Sequence, residues 1–263
     1  FGVSVASVSR FKTKKQVEEV KLAWVGRKLD VLVGTHAVFY DDIYLNNNGL
    51  LIIDEEHRFG VKQKENIRAI KHSIDVLSMS ATPIPRTLNL ALSGIRKIST
   101  LRTPPRSRLA VDTHVFYFND DVIRRGVMNE FSRGGQVFFV HNDVKTLPNL
   151  SGFLEKLLPG INVGVIHGQM PSRQIESVMG RFLNRDISLL LCTSIIETGI
   201  DISNANTVFI NNAHNFGLSQ LYQIRGRVGR GDRLAHAFLL LPSGMSLKRD
   251  AFRRLKAIEE NAH

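Results

Sequence analysis

The chain has 263 residues, of which 43% are hydrophobic and 22% are charged, and this composition excludes a disordered or low-complexity protein. Its length fits two domains of about 100–150 residues each. The formal net charge of +11 favours a polyanionic partner such as nucleic acid.

Short apolar runs alternate with amphipathic segments along the chain, which is typical of an α/β protein with parallel sheets flanked by helices. Strands are predicted at 3–7, 31–34, 50–54, 76–80, 113–118, 136–140, 162–166, 189–193, 207–210 and 237–241. Helical stripes are predicted at 14–27, through Val17, Val20 and Trp24, and at 172–183, through Ile175, Val178, Met179 and Phe182. Such stripes indicate core faces.

Two consecutive prolines, Pro104 and Pro105, separate the two halves of this pattern. They cannot continue a helix or a central strand, and they stiffen a connector. We therefore expect a first domain at 1–98, a linker at 99–112 and a second domain at 113–242. A basic amphipathic helix is predicted at 247–260, with its apolar side formed by Phe252, Leu255 and Ile258.

The apolar strand 50–54 runs directly into two carboxylates, Asp54 and Glu55. Carboxylates at a strand end are costly to desolvate unless a cation or hydrogen bonds compensate. Mg²⁺ with a nucleotide phosphate would supply that cation, with Asp54 holding the metal through water and Glu55 deprotonating the attacking water. The alternative is a polar turn in which an acid caps the next helix.

Small hydroxyl residues follow the next strand, in the sequence Ser80-Ala81-Thr82. Their position one strand after the acidic motif suits a hydrogen-bonded relay between two sites. Further along, glycines separate three arginines in the sequence Arg225-Gly226-Arg227-Val228-Gly229-Arg230. Such arginines can clamp a phosphate, which favours a nucleotide role; the alternative is a nonspecific nucleic-acid-binding turn.

The chain contains one cysteine, Cys192, which excludes an internal disulfide and fits a reducing, cytoplasmic environment. It lies in the apolar run 187–192, which favours a small buried hydrophobic residue over a nucleophile. No stretch of about 18 uncharged apolar residues occurs, so no membrane-spanning segment is expected.

The order of these motifs resembles that of the superfamily 2 helicases and translocases. Gly34-Thr35-His36 is similar to their first DNA-contact motif, 54–57 to motif two, 80–82 to motif three, 193–202 to motif five and 220–230 to motif six. The segments 54–61, 81–87, 167–170 and 216–221 resemble the RecG-like branch. The segments 133–137 and 141–144, with Glu56, are more similar to the bacterial transcription-repair coupling factors (Mfd).

This resemblance implies two RecA-like parallel-sheet lobes in tandem, the first truncated at its N-terminus, with ATP and Mg²⁺ as cofactors. Asp54 and Glu55 would act on Mg²⁺ and water, and His57 would link to motif six through Gln223. From the second lobe, the nucleotide would be met by Gly199, Asp201, Arg227 and Arg230, across a gap shared with the two acids. One DNA strand would be contacted by Thr35, His36, Asn142, His167, Gly168 and Thr193.

Three departures from the family pattern stand out. No Gly-x-x-x-x-Gly-Lys-Ser/Thr loop occurs, so we expect that loop upstream of Phe1 and no ATP hydrolysis by this chain alone. Asn211 and His214 occupy positions where the resemblance implies acids. The segment 243–263 resembles only the start of the translocation hairpin, so coupling to DNA movement should be absent.

The resemblance implies an ATP-driven double-stranded DNA translocase of the transcription-repair coupling type. The full-length form would displace stalled RNA polymerase and recruit excision-repair proteins. A RecG-type enzyme that remodels replication forks is the first alternative. The second, of another class, is a basic module that binds nucleic acid without catalysis.

Overall fold

The computed structural model describes residues 2–9, 12–35, 38, 48–55, 59, 74–80, 99–101, 110–193, 202, 204–229, 231, 233–244, 246–247 and 249–260. The chain divides into two compact units, 1–99 and 100–263, which are described separately. Pro104 and Pro105 lie outside the described residues. The strand that follows them begins at Val111, inside the segment predicted as linker, because Val111 already pairs with Ala235.

The described part of the first unit contains two pairs of parallel strands and one helix. Its described elements are β1 (Val5–Val8), α1 (Lys14–Val25), β2 (Val31–Gly34), β3 (Leu50–Asp54) and β4 (Asp75–Met79). β1 pairs with β2 and β3 pairs with β4. Because Ile53, only 2% exposed, packs with Val38, Leu51, Phe59 and Val76, a small apolar cluster holds the end of β3 in place.

A capping box starts helix α1. The Thr13 hydroxyl accepts a hydrogen bond from the Gln16 N–H (3.3 Å), and the Gln16 side-chain oxygen accepts one from the Thr13 N–H (2.9 Å). Two N–H groups at the end of the helix are thereby satisfied. The predicted stripe of Val17, Val20 and Trp24 is half-buried.

The second unit contains a six-stranded, all-parallel sheet in the order β5-β10-β9-β6-β8-β7. Its strands are β5 (Val111–Tyr117), β6 (Gln136–Val140), β7 (Val163–Ile166), β8 (Leu189–Cys192), β9 (Ala205–Ile210) and β10 (Ala235–Leu241). Its described α-helices are α2 (Asp120–Ser132), α3 (Leu147–Leu157), α4 (Ser172–Leu183), α5 (Leu218–Arg225) and α6 (Arg249–Glu260), and a 3₁₀ helix spans Ala213–Asn215.

The central strands of this sheet are apolar because both faces are covered. Every residue of β6, β8 and β9 is buried, as expected for a parallel sheet between helices. Aromatic rings stack across neighbouring strands, with centroids 5.5 Å apart for the buried Phe139 and Phe209 and 4.7 Å apart for Phe209 and the half-buried Phe238. Cys192 is fully buried, and burial raises the pKa of its thiol, as expected for a core residue.

The amino edge of the sheet contains a buried carboxylate, Glu130. It accepts a hydrogen bond from the Thr207 hydroxyl (2.5 Å) and forms an ion pair with Arg133. A side chain at Gly135 would overlap the Glu130 carboxylate, which would have to leave its position beside Thr207 and Arg133. The segment therefore has a structural role at the edge opposite the carboxyl ends of the strands.

The predicted strands agree with the observed ones to within two residues at each end. The stripe on α4 is correct: Ile175, Met179 and Phe182 are buried. The apolar side predicted for α6 is partly wrong. Leu255 and Ile258 are buried, but Phe252 is 55% exposed and Ala251 takes the remaining core position.

None of the described helices is long and apolar enough to cross a membrane.

Candidate functional site

The two acids of the first unit lie at the carboxyl end of β3. Asp54 is paired in register with Met79 of β4, and the Glu55 N–H donates to the Met79 carbonyl at 2.9 Å. Asp54 is exposed and Glu55 is half-buried. Glu55 has a left-handed backbone with φ 52°, which costs a non-glycine residue about 1 kcal/mol and is concentrated at functional sites.

Ser80 holds the Glu55 carboxylate. Its hydroxyl donates a 3.0 Å hydrogen bond to Glu55 Oε2, so the strand end of β4 contacts the acid at the strand end of β3. The sequence predicted a hydrogen-bonded relay between two sites at 80–82. The first residue of that segment, Ser80, contacts Glu55, and the relay itself stays a prediction. His57, Ala81 and Thr82 lie outside the described residues. A fixed carboxylate direction suits a group that must orient one water molecule.

The acid pair fits Mg²⁺ better than it fits a metal enclosed by protein ligands. Within the described ranges, no group of three or more His, Cys, Asp or Glu side chains could hold a metal ion. Mg²⁺ commonly takes one or two carboxylates and completes its octahedral shell with water and phosphate oxygens. Asp54 and Glu55 offer such a partial set at an accessible strand end.

The predicted DNA-contact motif of the first unit follows β2. The Thr35 N–H donates to the Val8 carbonyl at 3.2 Å, which extends the β1–β2 ladder by one residue, and the Thr35 side chain is exposed. A side chain at Gly34 would collide with Val38. Gly34 therefore allows the chain to turn closely after Thr35. His36 lies outside the described residues.

Four predicted DNA-contact residues gather at the carboxyl edge of the second unit. Val140, Cys192 and Ile166 are level in the sheet register, so the residues after them continue from three adjacent strands. These strand ends span roughly 10 Å, or two strand spacings. The predicted residues there are Asn142 and Gly168, which are exposed, His167, which is half-buried, and Thr193, which is buried.

A hydrogen-bonded chain at the same edge links β6, β9 and α3. The Asn211 side-chain oxygen accepts from the Asn212 N–H (3.0 Å), which directs the Asn211 amide nitrogen to His141 Nδ1 (3.1 Å). Since Nδ1 then accepts, the proton is on Nε2, which donates to the Thr146 hydroxyl (2.7 Å). Thr146 in turn donates to the Asp143 carbonyl (3.3 Å).

This bonding pattern requires a neutral His141 imidazole. Protonation of Nδ1 would place two donors, the imidazolium and the Asn211 amide, against each other. Burial lowers the pKa of His141, and the nearby Asp143 carboxylate opposes that shift only in part. Both His141 and Asn211 are buried, at 6% and 8% exposure. Sequence reasoning missed this pair, although Asn211 was a visible departure from the acid expected there.

The arginine motif is carried by α5 and the turn that follows. The Gln220 side chain accepts from the Gly217 N–H (3.0 Å) at the start of the helix, and Leu221 and Ile224 are buried. After the helix, Val228 is buried and Gly229 has φ 73°, a left-handed conformation that glycine adopts without strain. Gln223 and Arg227 are half-buried.

The first arginine of the motif has a structural role. Arg225 lies 4.7 Å from the Tyr222 ring centroid and donates to the Ile258 carbonyl of α6 at 3.0 Å. Two further hydrogen bonds attach α6 to the rest of the second unit. Arg254 donates to the His214 carbonyl (3.0 Å), and Glu259 accepts from the Val115 N–H of edge strand β5 (3.1 Å).

Three predicted nucleotide-site residues of the second unit, Gly199, Asp201 and Arg230, lie outside the described residues. His214, where an acid was expected, has a buried Nδ1 without a hydrogen-bond partner in the described part of the chain. The described portion of motif six therefore consists of Gln220 to Gly229, with Arg227 as its remaining candidate for phosphate.

Two family models match the chain in tandem. The DEAD/DEAH box helicase model covers residues 1–91, and the helicase conserved C-terminal domain model covers residues 120–232. A transcription-repair-coupling factor of Myxococcus xanthus is 47% identical over 259 residues, and that of Haemophilus influenzae is 48% identical over 257 residues. A chloroplastic ATP-dependent DNA helicase of Arabidopsis thaliana is 46% identical over 258 residues.

These matches cover 98% of the chain, but the chain spans only 22% of the length of the two bacterial relatives and 31% of the plant helicase. Among solved structures, RecG bound to a three-way DNA junction is 33% identical, with a TM-score of 0.74 over 100% of this chain and 35% of that one. Saccharomyces cerevisiae Dbp5 bound to RNA and ADP BeF3 is 17% identical, with a TM-score of 0.67 over 99% of this chain and 68% of that one, and supports the fold alone. The expected α/β fold with two RecA-like domains is confirmed.

Proposed function

Because the chain belongs to the superfamily 2 helicases, in the branch that contains RecG and the transcription-repair-coupling factors, we propose that it forms the ATP-driven motor core of a double-stranded DNA translocase. Helicase domains of this family use a nucleotide. The catalytic part of the proposal rests on Glu55, whose carboxylate accepts a hydrogen bond from Ser80 and whose backbone has a left-handed conformation.

In this proposal Glu55 is the general base and Asp54 is the metal-side acid. Mg²⁺, when bound with ATP, neutralises charge on the phosphate oxygens. Asp54 would hold the ion through water, consistent with its exposure at the strand end. Glu55 would orient the attacking water and accept its proton, with the carboxylate direction fixed by Ser80.

Arg227 and Arg230 are the proposed arginine fingers. A guanidinium that stabilises charge on the transferred phosphoryl group raises the rate by orders of magnitude. Support comes from the turn that carries Arg227: buried Val228 and left-handed Gly229 hold its backbone beside α5. Arg225 is not proposed as a finger because its guanidinium bonds to α6. Gln223, Gly199 and Asp201 would complete the nucleotide contacts, and His57 would link to Gln223.

The carboxyl edge of the second sheet is the proposed path of one DNA strand. Two observations support this path. The chain has a net charge of +11, and the ends of three adjacent strands are followed by Asn142, by Thr193, and by His167 and Gly168. Thr193 is buried, so its contact would be through the backbone at the end of β8. On the first unit, Thr35 and His36 are the proposed DNA contacts, and Ser80, Ala81 and Thr82 would couple DNA binding to ATP.

We place the chain with the transcription-repair coupling factors rather than with RecG, since identity is 45–48% to the former and 33% to the latter. On that basis, the complete protein would act on stalled RNA polymerase and excision-repair proteins through regions outside this chain. A RecG-type fork remodeller is the second candidate, and it is favoured by the whole-chain structural match to RecG on a DNA junction.

The test is ATP hydrolysis by a protein that joins this chain to a phosphate-binding loop. Glu55→Gln should lower DNA-stimulated turnover by roughly 100-fold or more, because the general base is lost. Glu18→Gln, on the exposed side of α1, is the matched control and should retain the wild-type rate. Equal rates for wild type and Glu55→Gln would reject the assignment.

If the chain were a nucleic-acid-binding module without catalysis, substitution of Arg227 would have a different effect. If Arg227 serves the nucleotide, Arg227→Ala should lose turnover and keep most of its affinity for duplex DNA. If the arginine motif only binds nucleic acid, DNA affinity should fall and the salt dependence of binding should weaken. A fluorescence anisotropy titration of labelled duplex at two salt concentrations separates these results.

A further inference from the structure

We propose that His141 and Asn211 are positioning residues that couple the DNA-contact edge of the second unit to the arginine-bearing helix α5. The inference rests on the proposed function and extends it. Neither residue is assigned to DNA or ATP contact above. His141 directly precedes Asn142 of the proposed DNA path, and Asn211 directly precedes the turn that leads to α5.

His141 is joined to the proposed DNA path. It follows β6, and its N–H donates to the Cys192 carbonyl at 2.8 Å, next to Thr193. The following residue is Asn142, an exposed member of the path. Through Nε2 it also holds the hydroxyl of Thr146, the residue at the start of α3. His141 thus fixes both ends of the loop that carries Asn142, one through its backbone N–H and the other through its imidazole.

Asn211 is joined to the arginine motif. It follows β9, and its N–H donates to the Val140 carbonyl at 2.8 Å. The next residue, Asn212, has left-handed backbone with φ 53°, and its N–H is held by the Asn211 side-chain oxygen. A 3₁₀ turn at Ala213–Asn215 then leads directly into α5. One amide side chain therefore fixes the turn that sets the entry of α5.

The His141–Asn211 hydrogen bond is the side-chain link between these two segments. A shift of the Asn142 loop on DNA binding would act on His141, and the buried amide would transmit it to the Asn212 turn and α5. Neutral imidazole is needed because Nδ1 must accept the amide proton. The link is buried, so water does not readily replace the lost bond when one partner is removed.

A double variant, made in the protein that joins this chain to a phosphate-binding loop, separates the effect on coupling from the effect on stability. His141→Phe or Asn211→Leu alone leaves one buried polar group unpaired and should lower both the melting temperature and DNA-stimulated ATP turnover. His141→Phe with Asn211→Leu removes both polar groups of the pair, so the melting temperature should recover above that of Asn211→Leu, which lacks the same Asn211–Asn212 bond but leaves His141 unpaired. Turnover with saturating duplex DNA should nevertheless stay about fivefold below wild type, as expected for the loss of one hydrogen bond, while turnover without DNA is unchanged.

A second pair of variants tests the link at the α3 end without disturbing the core, because Thr146 is exposed. Thr146→Val removes the hydroxyl that His141 holds and should reduce stimulation by DNA. Thr146→Ser retains the hydroxyl and should keep it.

The control is Asn206→Ala, which removes another buried asparagine, 2% exposed, near the amino end of the same strand β9. It should lower the melting temperature and leave stimulation by DNA intact. Recovery of stimulation in the double variant, or equal loss in Asn206→Ala, would overturn the coupling role. Absence of stimulation in the wild-type protein would instead reject the proposed function itself.

Discussion

The surroundings of Glu55 in the structure distinguish between functions of the acidic motif that the sequence alone leaves open. The sequence left two interpretations open, a catalytic acid and a helix cap. The Glu55 carboxylate accepts a hydrogen bond from Ser80, across two strands, and its backbone is left-handed. Both features orient the side chain at the strand end, which supports the catalytic interpretation. No pattern in the sequence could have predicted the sign of φ at this residue.

Ser80 should affect turnover without affecting nucleotide affinity. Ser80→Ala removes the hydroxyl that fixes Glu55 and should lower kcat by roughly 10-fold to 100-fold, because the base is less well oriented. The KM for ATP should change little, since Ser80 is not proposed to contact phosphate. Steady-state kinetics with saturating DNA measure both constants. A rise in KM at unchanged kcat would place Ser80 in substrate binding instead.

His141 should make part of the stability pH-dependent. Its pKa is lowered by burial, whereas in the unfolded chain it titrates near about 6.5. Between the lowered pKa and about 6.5, only the unfolded state binds the proton. The contribution of neutral His141 to the free energy of unfolding is therefore complete above pH ~6.5. It is lost as the pH falls from there through the pKa of His141 in the folded protein.

Denaturant unfolding at several pH values between 7.5 and about 5 measures this contribution. The free energy of unfolding of wild type should decline more steeply with acidification than that of the His141→Phe, Asn211→Leu double variant. Parallel profiles would show that His141 is not held neutral. Because the comparison is a difference, the other histidines of the chain affect both proteins equally.

At the scale of elements, helix α6 shows where amphipathic patterns mislead. Phe252, Leu255 and Ile258 share a predicted apolar side, but only the last two are buried. The position of the helix is fixed by polar bonds from Arg225, Arg254 and Glu259 to backbone groups, and these bonds set its rotation. A hydrophobicity pattern contains no information on such contacts.

Two alanine variants on α6 test this packing. Leu255→Ala should destabilise the second unit by about 2–5 kcal/mol, the usual range for a buried leucine. Phe252→Ala, on an exposed side chain of the same helix, should change stability by less than about 0.5 kcal/mol. Chemical denaturation measures both. A larger loss in Phe252→Ala than in Leu255→Ala would mean that the helix is rotated from the arrangement described.

At the scale of the molecule, the positions of the strands along the chain follow from features that sequence records well. The central strands of the second sheet are buried and mostly apolar, so the sequence predicts their positions to within two residues. What could not be predicted is which strand ends are adjacent, since β6 lies between β8 and β9 in the sheet. That order brings His141 next to Asn211, 70 residues away in sequence.

The central claim is that ATP hydrolysis at Asp54 and Glu55 drives movement along duplex DNA. Displacement of a third strand from a DNA triplex measures such movement directly, in a protein that joins this chain to a phosphate-binding loop and a complete translocation hairpin. Wild type should release the third strand with ATP, and Glu55→Gln should bind the DNA without releasing it. Release by Glu55→Gln at the wild-type rate, or by wild type without ATP, would contradict the account.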